Sequence, residues 1–311
     1  MAIELRHLRY VIAVAEEGHI TRAAERLGMQ QPPLSQQIKA IERELNVQLF
    51  RRKARGVEMT EAGRAFLEEA RATLGHLERL VETTQRVARG EQGRLLIGAT
   101  STGSFHPLLP RAIRAFRDAC PMVDLTLEEC LSNELVERLL NEQMDVAFIR
   151  ISPAVSGELA VIRLLEEPMV VALPSSHAFA QGQISGAISL KSLAGETFIL
   201  YGPPGTGMYD STIAACNAAG FNPRVGNLAA STQQAPRIAS TLNLVSAGLG
   251  ISCFPASLQR LTVDGVVYRS LAESDQPKAL LSLAFRPGNA SAVVKQFVGA
   301  VRKMARDFSE G

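Results

Sequence analysis

Apolar residues in the first third of the chain keep helical spacing. Leu5, Leu8, Ile12 and Ala15 recur every three or four positions and stop before Gly18, which predicts a helix over Glu4–Glu17. A short second helix follows in "TRAAERLG", with Thr21 as its expected cap, Ala23 and Ala24 small enough for another helix to cross closely, and Gly28 as its exit turn. Leu34, Ile38, Ile41 and Leu45 then mark the buried stripe of a third helix. Pro32 and Pro33 fit its first turn, where backbone amides lack intrahelical partners, and they stiffen its entry. Its outer face carries Gln31, Ser35, Gln36 and Lys39, side chains that hydrogen-bond but bring little charge. The charge comes afterwards, in Arg51, Arg52, Lys53 and Arg55.

From Thr60 about thirty residues run without proline, and Thr60 is placed to cap them. Leu67, Leu74, Val81 and Ala88 fall seven apart, with Ala70, Leu77 and Thr84 between them, the seam of a coiled coil that needs a partner helix. After "RGEQGR" the pattern alternates between strand and helix. "RLLIGAT", "VDLTLEE", "DVAFIR", "PMVVALP", "FILYG", "GISCFP" and "ALLSLAFRP" read as buried strands. "PLLPRAIRAFRDA", "NELVERLLNEQ" and "SAVVKQFVGAVRKMARDF" read as helices, giving an α/β region.

Composition narrows the classes. At 311 residues and 46% hydrophobic, the chain has core enough for two or three domains. No apolar run approaches the roughly 20 residues of a membrane span, and no signal-peptide pattern opens the chain. Cys120, Cys130, Cys216 and Cys253 form no CxxC pair, which argues against zinc and disulfides and for a reducing cytoplasm. The net charge of +2 is uneven. Residues 1–60 hold ten Lys/Arg against seven Asp/Glu, leaving 23 against 24 in the remainder, so the surplus lies where a polyanion would be met.

The stretch "LRHLRYVIAVAEEGHITRAAERLGMQQPPLSQQIKAIERELNVQLFRRKARGVEMTEAGR", Leu5 to Arg64, resembles the winged helix-turn-helix of the LysR-type transcriptional regulators. The resemblance implies an α-helical winged helix-turn-helix (residues 1–59), a dimerising coiled-coil linker helix (60–90) and an α/β effector-binding region (91–311). The last resembles periplasmic solute-binding proteins, with one subdomain at 91–162 and 268–311 and a second at 163–267. The resemblance assigns DNA contact to Gln30, Gln31, Pro32, Ser35, Gln36 and Lys39 on the recognition helix and to Arg52 and Arg55 on the wing. Many family members carry Ser at the position of Gln30 and Arg at that of Gln36. Glutamine can pair bidentately with adenine, and proline can pack on thymine methyls, so polar but mostly uncharged side chains suit base edges. The implied partners are a pseudo-palindromic duplex operator, a second copy of the chain and a small anionic effector, an organic or aromatic acid. A tetramer and a contact to RNA polymerase stay open; no membrane, metal or cofactor is implied.

Effector contacts are implied at Thr100, Ser101 and Thr102, just past the first strand of the α/β region, at Ser132, and at the turn holding Pro203, Pro204 and Gly205. Hydroxyls and free amides at strand ends and helix starts could hold a carboxylate without a buried positive charge. Each hydroxyl could equally be an ordinary helix cap. "GPPGTGMY" looks like a phosphate-binding P-loop but has Met208 and Tyr209 where Lys and Ser/Thr are needed. The five histidines are dispersed, and no nucleophile elbow or metal-ligand spacing occurs. The rival readings are a thiol-based redox regulator of the same architecture and an enzyme with an N-terminal nucleic-acid anchor.

Overall fold

A computed structural model of the chain describes residues 3–150, 157–181, 186–202, 204, 207–225, 237–273, 276–289 and 291–309. The chain separates into two compact units, Met1–Arg86 and Val87–Gly311.

The first unit contains α1 (Leu5–Glu17), α2 (Ile20–Arg26), α3 (Gln31–Leu45), the hairpin β1 (Phe50–Lys53) and β2 (Gly56–Met59), and most of α4 (Glu61–Arg89). Val11, Val14, Ala23, Ala24, Leu34, Ile38, Ile41 and Leu49 fill its core, and α3 turns its expected stripe inward; in α1 the buried face is Leu8, Val11 and Val14, whereas of the expected stripe Leu5 is exposed and Ile12 and Ala15 are half-buried. Thr21 does not cap α2, which already starts at Ile20 with His19 at the cap position. Gly18, at φ 62°, ends α1, and the peptide carbonyl of His19 then receives the Ala23 N–H at 3.0 Å, so the tight turn itself sets the first turn of α2. Pro32 and Pro33 lie in the first turn of α3, as their missing N–H groups allow. Gln30 occupies the cap without a side-chain bond.

Two close approaches lock the hairpin in place. Gly56, at φ 109°, lies against the α1–α2 turn, where a Cβ would come within 2.3 Å of the Gly18 carbonyl oxygen, and the neighbouring Val57 N–H donates to that oxygen at 2.9 Å. At the other end, Thr60 donates to the Gln48 carbonyl at 2.6 Å and accepts the Gly63 N–H at 2.9 Å, capping α4 as its sequence suggests. Along α4, Leu74 and Leu77 are half-buried, while Leu80, Val81 and Val87 stand 62%, 46% and 52% exposed.

The second unit contains, in order, β3 (Gln92–Ala99), α5 (Ser101–Ser104), α6 (Leu108–Ala119), β4 (Met122–Glu129), α7 (Ser132–Leu140), β5 (Val146–Ile149) and β6 (Ala160–Pro174). Then follow β7 (Thr197–Phe198), α8 (Gly207–Ala218), β8 (Arg224–Val225), α9 (Ile238–Ser246), β9 (Ser252–Pro255), β10 (Val266–Ser270), β11 (Lys278–Phe285) and α10 (Ala292–Ser309). The main sheet runs β10-β6-β11-β5-β3-β4, with β9 also on β6. β3 is parallel to β4 and β5, whereas β11 is antiparallel to β5 and β6. The long strand β6 pairs with β11 as far as Pro168, then with β9 from Met169 and β10 from Val170. Two cores flank this change of partners. Phe116, Phe148 and Phe297 meet edge-on beneath α6 and α10, and Met169, Leu173, Phe198, Cys216 and Cys253 pack together in the other.

Several strands differ from their sequence reading. "VDLTLEE" is not buried: β4 is an edge strand with Met122 and Leu127 about half exposed. "PMVVALP" is only the second half of β6, and "FILYG" contributes only Phe198 to the two-residue strand β7.

Where α4 ends, Gly90 at φ 74° lies against the start of α10, and a Cβ there would fall 2.6 Å from the Ala292 carbonyl carbon. The Gln296 side-chain amide donates to the Arg89 carbonyl, and its oxygen accepts the Cys120 thiol at 3.1 Å. The last residues of α4 are thereby fastened to α10.

Candidate functional site

On the first unit, the rigid entry of α3 presents Gln30, Gln31, Pro32, Gln36 and Lys39 to solvent, with Ser35 half-buried between them. The hairpin divides its cations into two kinds. Arg51 and Lys53 both reach Glu58, at 2.9 and 2.7 Å, and first Lys53, then Arg51, hold that carboxyl below its usual range. Arg52 and Arg55 are exposed and have no ion-pair partner among the described residues. An apolar-anchored helix with uncharged polar groups at its tip, beside two free guanidinium groups, can read base edges while neutralising phosphates.

On the second unit, the carboxyl ends of β3 and β5 and the starts of α5 and α7 converge on one cavity of about 30 Å³. Thr100, Ser101, Thr102 and Ser132 all line it, with Arg150 and Tyr201. Their hydroxyls are in different states. Thr100 caps α5 by accepting the Gly103 N–H at 3.2 Å, so the capping reading is correct for it. Ser101 donates to the exposed Glu129 carboxylate at 2.5 Å. Thr102 and Ser132, both nearly buried, make no side-chain hydrogen bond to a described residue. Burial pushes the Tyr201 phenol above its ordinary pKa, partly offset by its hydrogen bond with Ser101. Pro203 and Gly205 lie outside the described residues; Pro204 is exposed in the turn, and that side of the cavity is formed by Tyr201, Gly202, Gly207 and Met208.

Arg150 corrects one expectation, that the site holds no buried positive charge. It is 3% exposed and donates to Glu167 at 2.5 Å, to the Thr102 carbonyl at 3.1 Å and, more weakly, to the Ala279 carbonyl at 3.5 Å. Its Nε has no hydrogen-bond partner. Burial lowers the guanidinium pKa and the Glu167 charge opposes that. Glu167 in turn accepts the Ser257 N–H at 2.8 Å and its hydroxyl at 3.1 Å. His106, nearby, is pushed down by burial against the pull of Glu167, and its Nδ1 accepts the Leu108 N–H. A signal for Arg150 was present in "DVAFIR", where a cation directly ends a run of four wholly buried residues.

Among the described residues no cluster of three or more His, Cys, Asp or Glu could hold a metal ion, and no helix is long and apolar enough to cross a membrane. The four cysteines are free; Cys120, Cys216 and Cys253 are buried. Desolvation raises the Cys216 thiol to about 11 and Cys253 to about 12, where neither forms the reactive thiolate at neutral pH. Titration of the native protein with an aromatic disulfide reagent at pH 8 should therefore modify Cys130 first and leave Cys216 and Cys253 untouched until denaturant is added. Rapid native modification of those two thiols would restore the redox reading.

Residues 5–64 match the family described as bacterial regulatory helix-turn-helix protein, lysR family, and residues 88–306 match the LysR substrate binding domain. The chain is 36% identical to the HTH-type transcriptional regulator AlsR of Bacillus subtilis (strain 168), across 95% of this chain and 94% of that one. It is 35% identical to the HTH-type transcriptional regulator BudR of Raoultella terrigena, across 95% and 99%. Among solved structures, full-length CbnR complexed with its target DNA superposes with a TM-score of 0.82 at 30% identity, covering 97% of this chain and 100% of that one. With a helix-turn-helix match over residues 5–64, a substrate-binding-domain match over 88–306 and relatives of this family along nearly the whole chain, the chain belongs to the LysR family of DNA-binding, effector-modulated transcriptional regulators.

Proposed function

We propose that the regulator reads DNA with Gln31, Pro32, Ser35 and Gln36 in the major groove, helped by Gln30 and Lys39, and grips the backbone or minor groove with Arg52 and Arg55. The separation of uncharged polar residues on α3 from unpaired arginines on the hairpin carries this reading. The DNA complex of CbnR, a relative over nearly the full length, supports it. Working on DNA, the protein belongs in the cytoplasm, and a contact to RNA polymerase is part of the same reading. Gln31→Ala and Gln36→Ala should each cost about 1–3 kcal/mol on the cognate site and little on random DNA. Arg55→Ala should weaken both and reduce the salt slope by about 0.9. Fluorescence titrations over a salt series measure this; equal losses on cognate and random duplexes for the glutamine variants remove them from base readout.

The linker helix α4 holds the dimer, and two symmetric α3 helices then read a palindrome with half-sites about one turn apart. The support is the apolar stripe through Val81, exposed in a single chain. On a solvated helix Val81→Glu is nearly neutral; across a seam it buries like charges and should convert dimer to monomer in light scattering. A fully dimeric variant with unaltered DNA affinity counts against the seam.

The effector is a small organic acid held between two parts of the second unit, 91–162 with 268–311 and 163–267. The change of partners along β6, from β11 to β9 and β10, supports a two-part division, with the first crossing at Pro168–Met169 rather than 163 and the second after β10 rather than within it. The observation that carries the site is the convergence of Ser101, Thr102, Ser132 and Arg150 on one cavity. The Arg150 guanidinium favours an anion, while Glu129 opposes one, so a carboxylate must displace Glu129 from Ser101. A ligand pocket usually measures roughly 300–1,000 Å³, so a cavity of about 30 Å³ admits a ligand only by opening. Such a ligand selects one arrangement of the two parts and, with a coupling of about 1–3 kcal/mol, changes DNA affinity reciprocally. A thermal-shift screen of small aliphatic and aromatic carboxylates should find a stabiliser. Ser132→Val should weaken its binding in calorimetry and leave ligand-free DNA affinity intact. Unchanged affinity in Ser101→Val, Thr102→Val and Ser132→Val moves the pocket elsewhere.

A further inference from the structure

Two ion pairs beside the cavity of the second unit are closed: Arg150 is taken by Glu167 and Arg138 by Glu128, each at 2.5 Å. Glu129, at the end of β4, is exposed and has no ion-pair partner among the described residues. Its carboxylate accepts the Ser101 hydroxyl at 2.5 Å. A serine hydroxyl has one proton to give, so the bond between Ser101 and the Tyr201 phenol is donated by the tyrosine. A chain of donors thus runs from Tyr201 in the cavity wall, through Ser101, to Glu129 at the surface.

The inner wall has the opposite character. Thr102 and Ser132, 1% and 9% exposed, make no side-chain hydrogen bond to a described residue, and the buried Nε of Arg150 has no partner. Arg237, which precedes α9, is exposed and has no ion-pair partner among the described residues. Burial chiefly raises the Tyr201 phenol and the Ser101 bond lowers it; Glu129 then raises it, and Arg237, more weakly, lowers it. The outer end of the cavity is therefore negative, and the inner end offers donors.

This polarity decides which acid is accepted. A plain carboxylate that takes the Ser101 proton from Glu129 leaves two like charges side by side, with Arg150 already shared. An ammonium on the carbon next to the carboxylate changes the balance. It gives Glu129 three N–H donors in place of one hydroxyl and adds no net charge to the site. A hydroxyl on that carbon supplies a donor but no charge. Leu131 and Met208, also in the wall, suit an apolar side chain.

We infer that the effector is a 2-amino acid with an apolar side chain, bound as the zwitterion, its carboxylate inward on Thr102, Ser132 and Arg150 and its ammonium outward on Glu129. Resting on the assignment of this cavity to the effector, the inference narrows the ligand from small acids to one class. Glu129 becomes the residue that selects it.

The full-length protein is screened by thermal shift against leucine, valine, methionine and phenylalanine, each beside its deaminated acid, its 2-hydroxy counterpart and its decarboxylated amine. Calorimetry then measures the set that stabilises most. The amino acid should bind about ten-fold more tightly than its deaminated acid, the worth of a hydrogen bond to a charged group. Glu129→Gln should remove most of that preference by weakening the amino acid and strengthening the plain acid, with unfolding of the ligand-free variant unchanged. Ser132→Val should weaken both alike. A deaminated or 2-hydroxy acid that binds as tightly as the amino acid overturns the inference and leaves the cavity a carboxylate site. So does a preference that survives Glu129→Gln. An amine that binds as tightly overturns the inward carboxylate, and if no member of any set binds, the assignment of the cavity to the effector fails together with the inference.

Discussion

The buried pair Arg150–Glu167 is the constraint around which the effector-binding unit is arranged. Two charges taken from water survive only where geometry and further hydrogen bonds compensate their desolvation, and removing either partner typically costs about 3–5 kcal/mol. Here the compensation is drawn from five places in the chain: the end of β5, the Thr102 carbonyl in α5, the Ala279 carbonyl in β11, Glu167 in β6, and Ser257 after β9. Those segments come from both sides of the change of partners along β6. The same guanidinium forms part of the cavity wall, so an anion entering there meets a cation whose charge is already shared with Glu167.

The helix-turn-helix unit handles charge differently. Among its described residues no Lys, Arg, Asp or Glu is buried, and its ion pairs, such as Arg71 and Arg26 with Glu16, sit at the surface, where each is worth little. Precision comes instead from backbone packing. Gly56 against Gly18 and the Thr60 cap on α4 fix the hairpin to the α1–α2 turn and to α4, and the Glu42 carboxylate of α3 accepts the Leu49 and Phe50 N–H groups at the hairpin's start. A protein that must approach a polyanion gains from this arrangement, because counterion redistribution at the surface leaves the geometry of the reading helix unchanged.

Much of the helical architecture was legible because helical spacing is a long-range signal: α1, α3, α4, α6 and α10 each carry several turns of periodic apolar residues. The strands were legible where they are uniformly buried, as in "DVAFIR", and misread where they are not. β4 has the composition of an inner strand, yet only its pairing reveals it as an edge. The first half of β6 was missed because Arg163, Glu166 and Glu167 interrupt its apolar run, and Glu167 is there for its pairing with Arg150, a contact 17 positions away in sequence. The hydroxyls lining the cavity could be nominated from strand ends and helix starts, whereas the turn beyond Tyr201 lies largely outside the described residues. Arg150 needed the third dimension. A cation after four buried residues is visible in the sequence, but whether it faces solvent or a cavity is decided by β6 and β11.

The clasp at the end of α4 bears on how such a regulator can be rebuilt. Gly90 admits no side chain beside Ala292, and Gln296 joins the Arg89 carbonyl to the Cys120 thiol, so the final residues of the helix are part of the effector unit's own structure. The natural seam for a chimera therefore lies before Val87, three residues upstream of the glycine where a helix-end rule would cut. A sensor transplanted with Val87–Gly90 carries its own fastening with it. One spliced after Gly90 arrives with Gln296 facing a foreign backbone, and its DNA-reading half becomes a passenger on a loose joint.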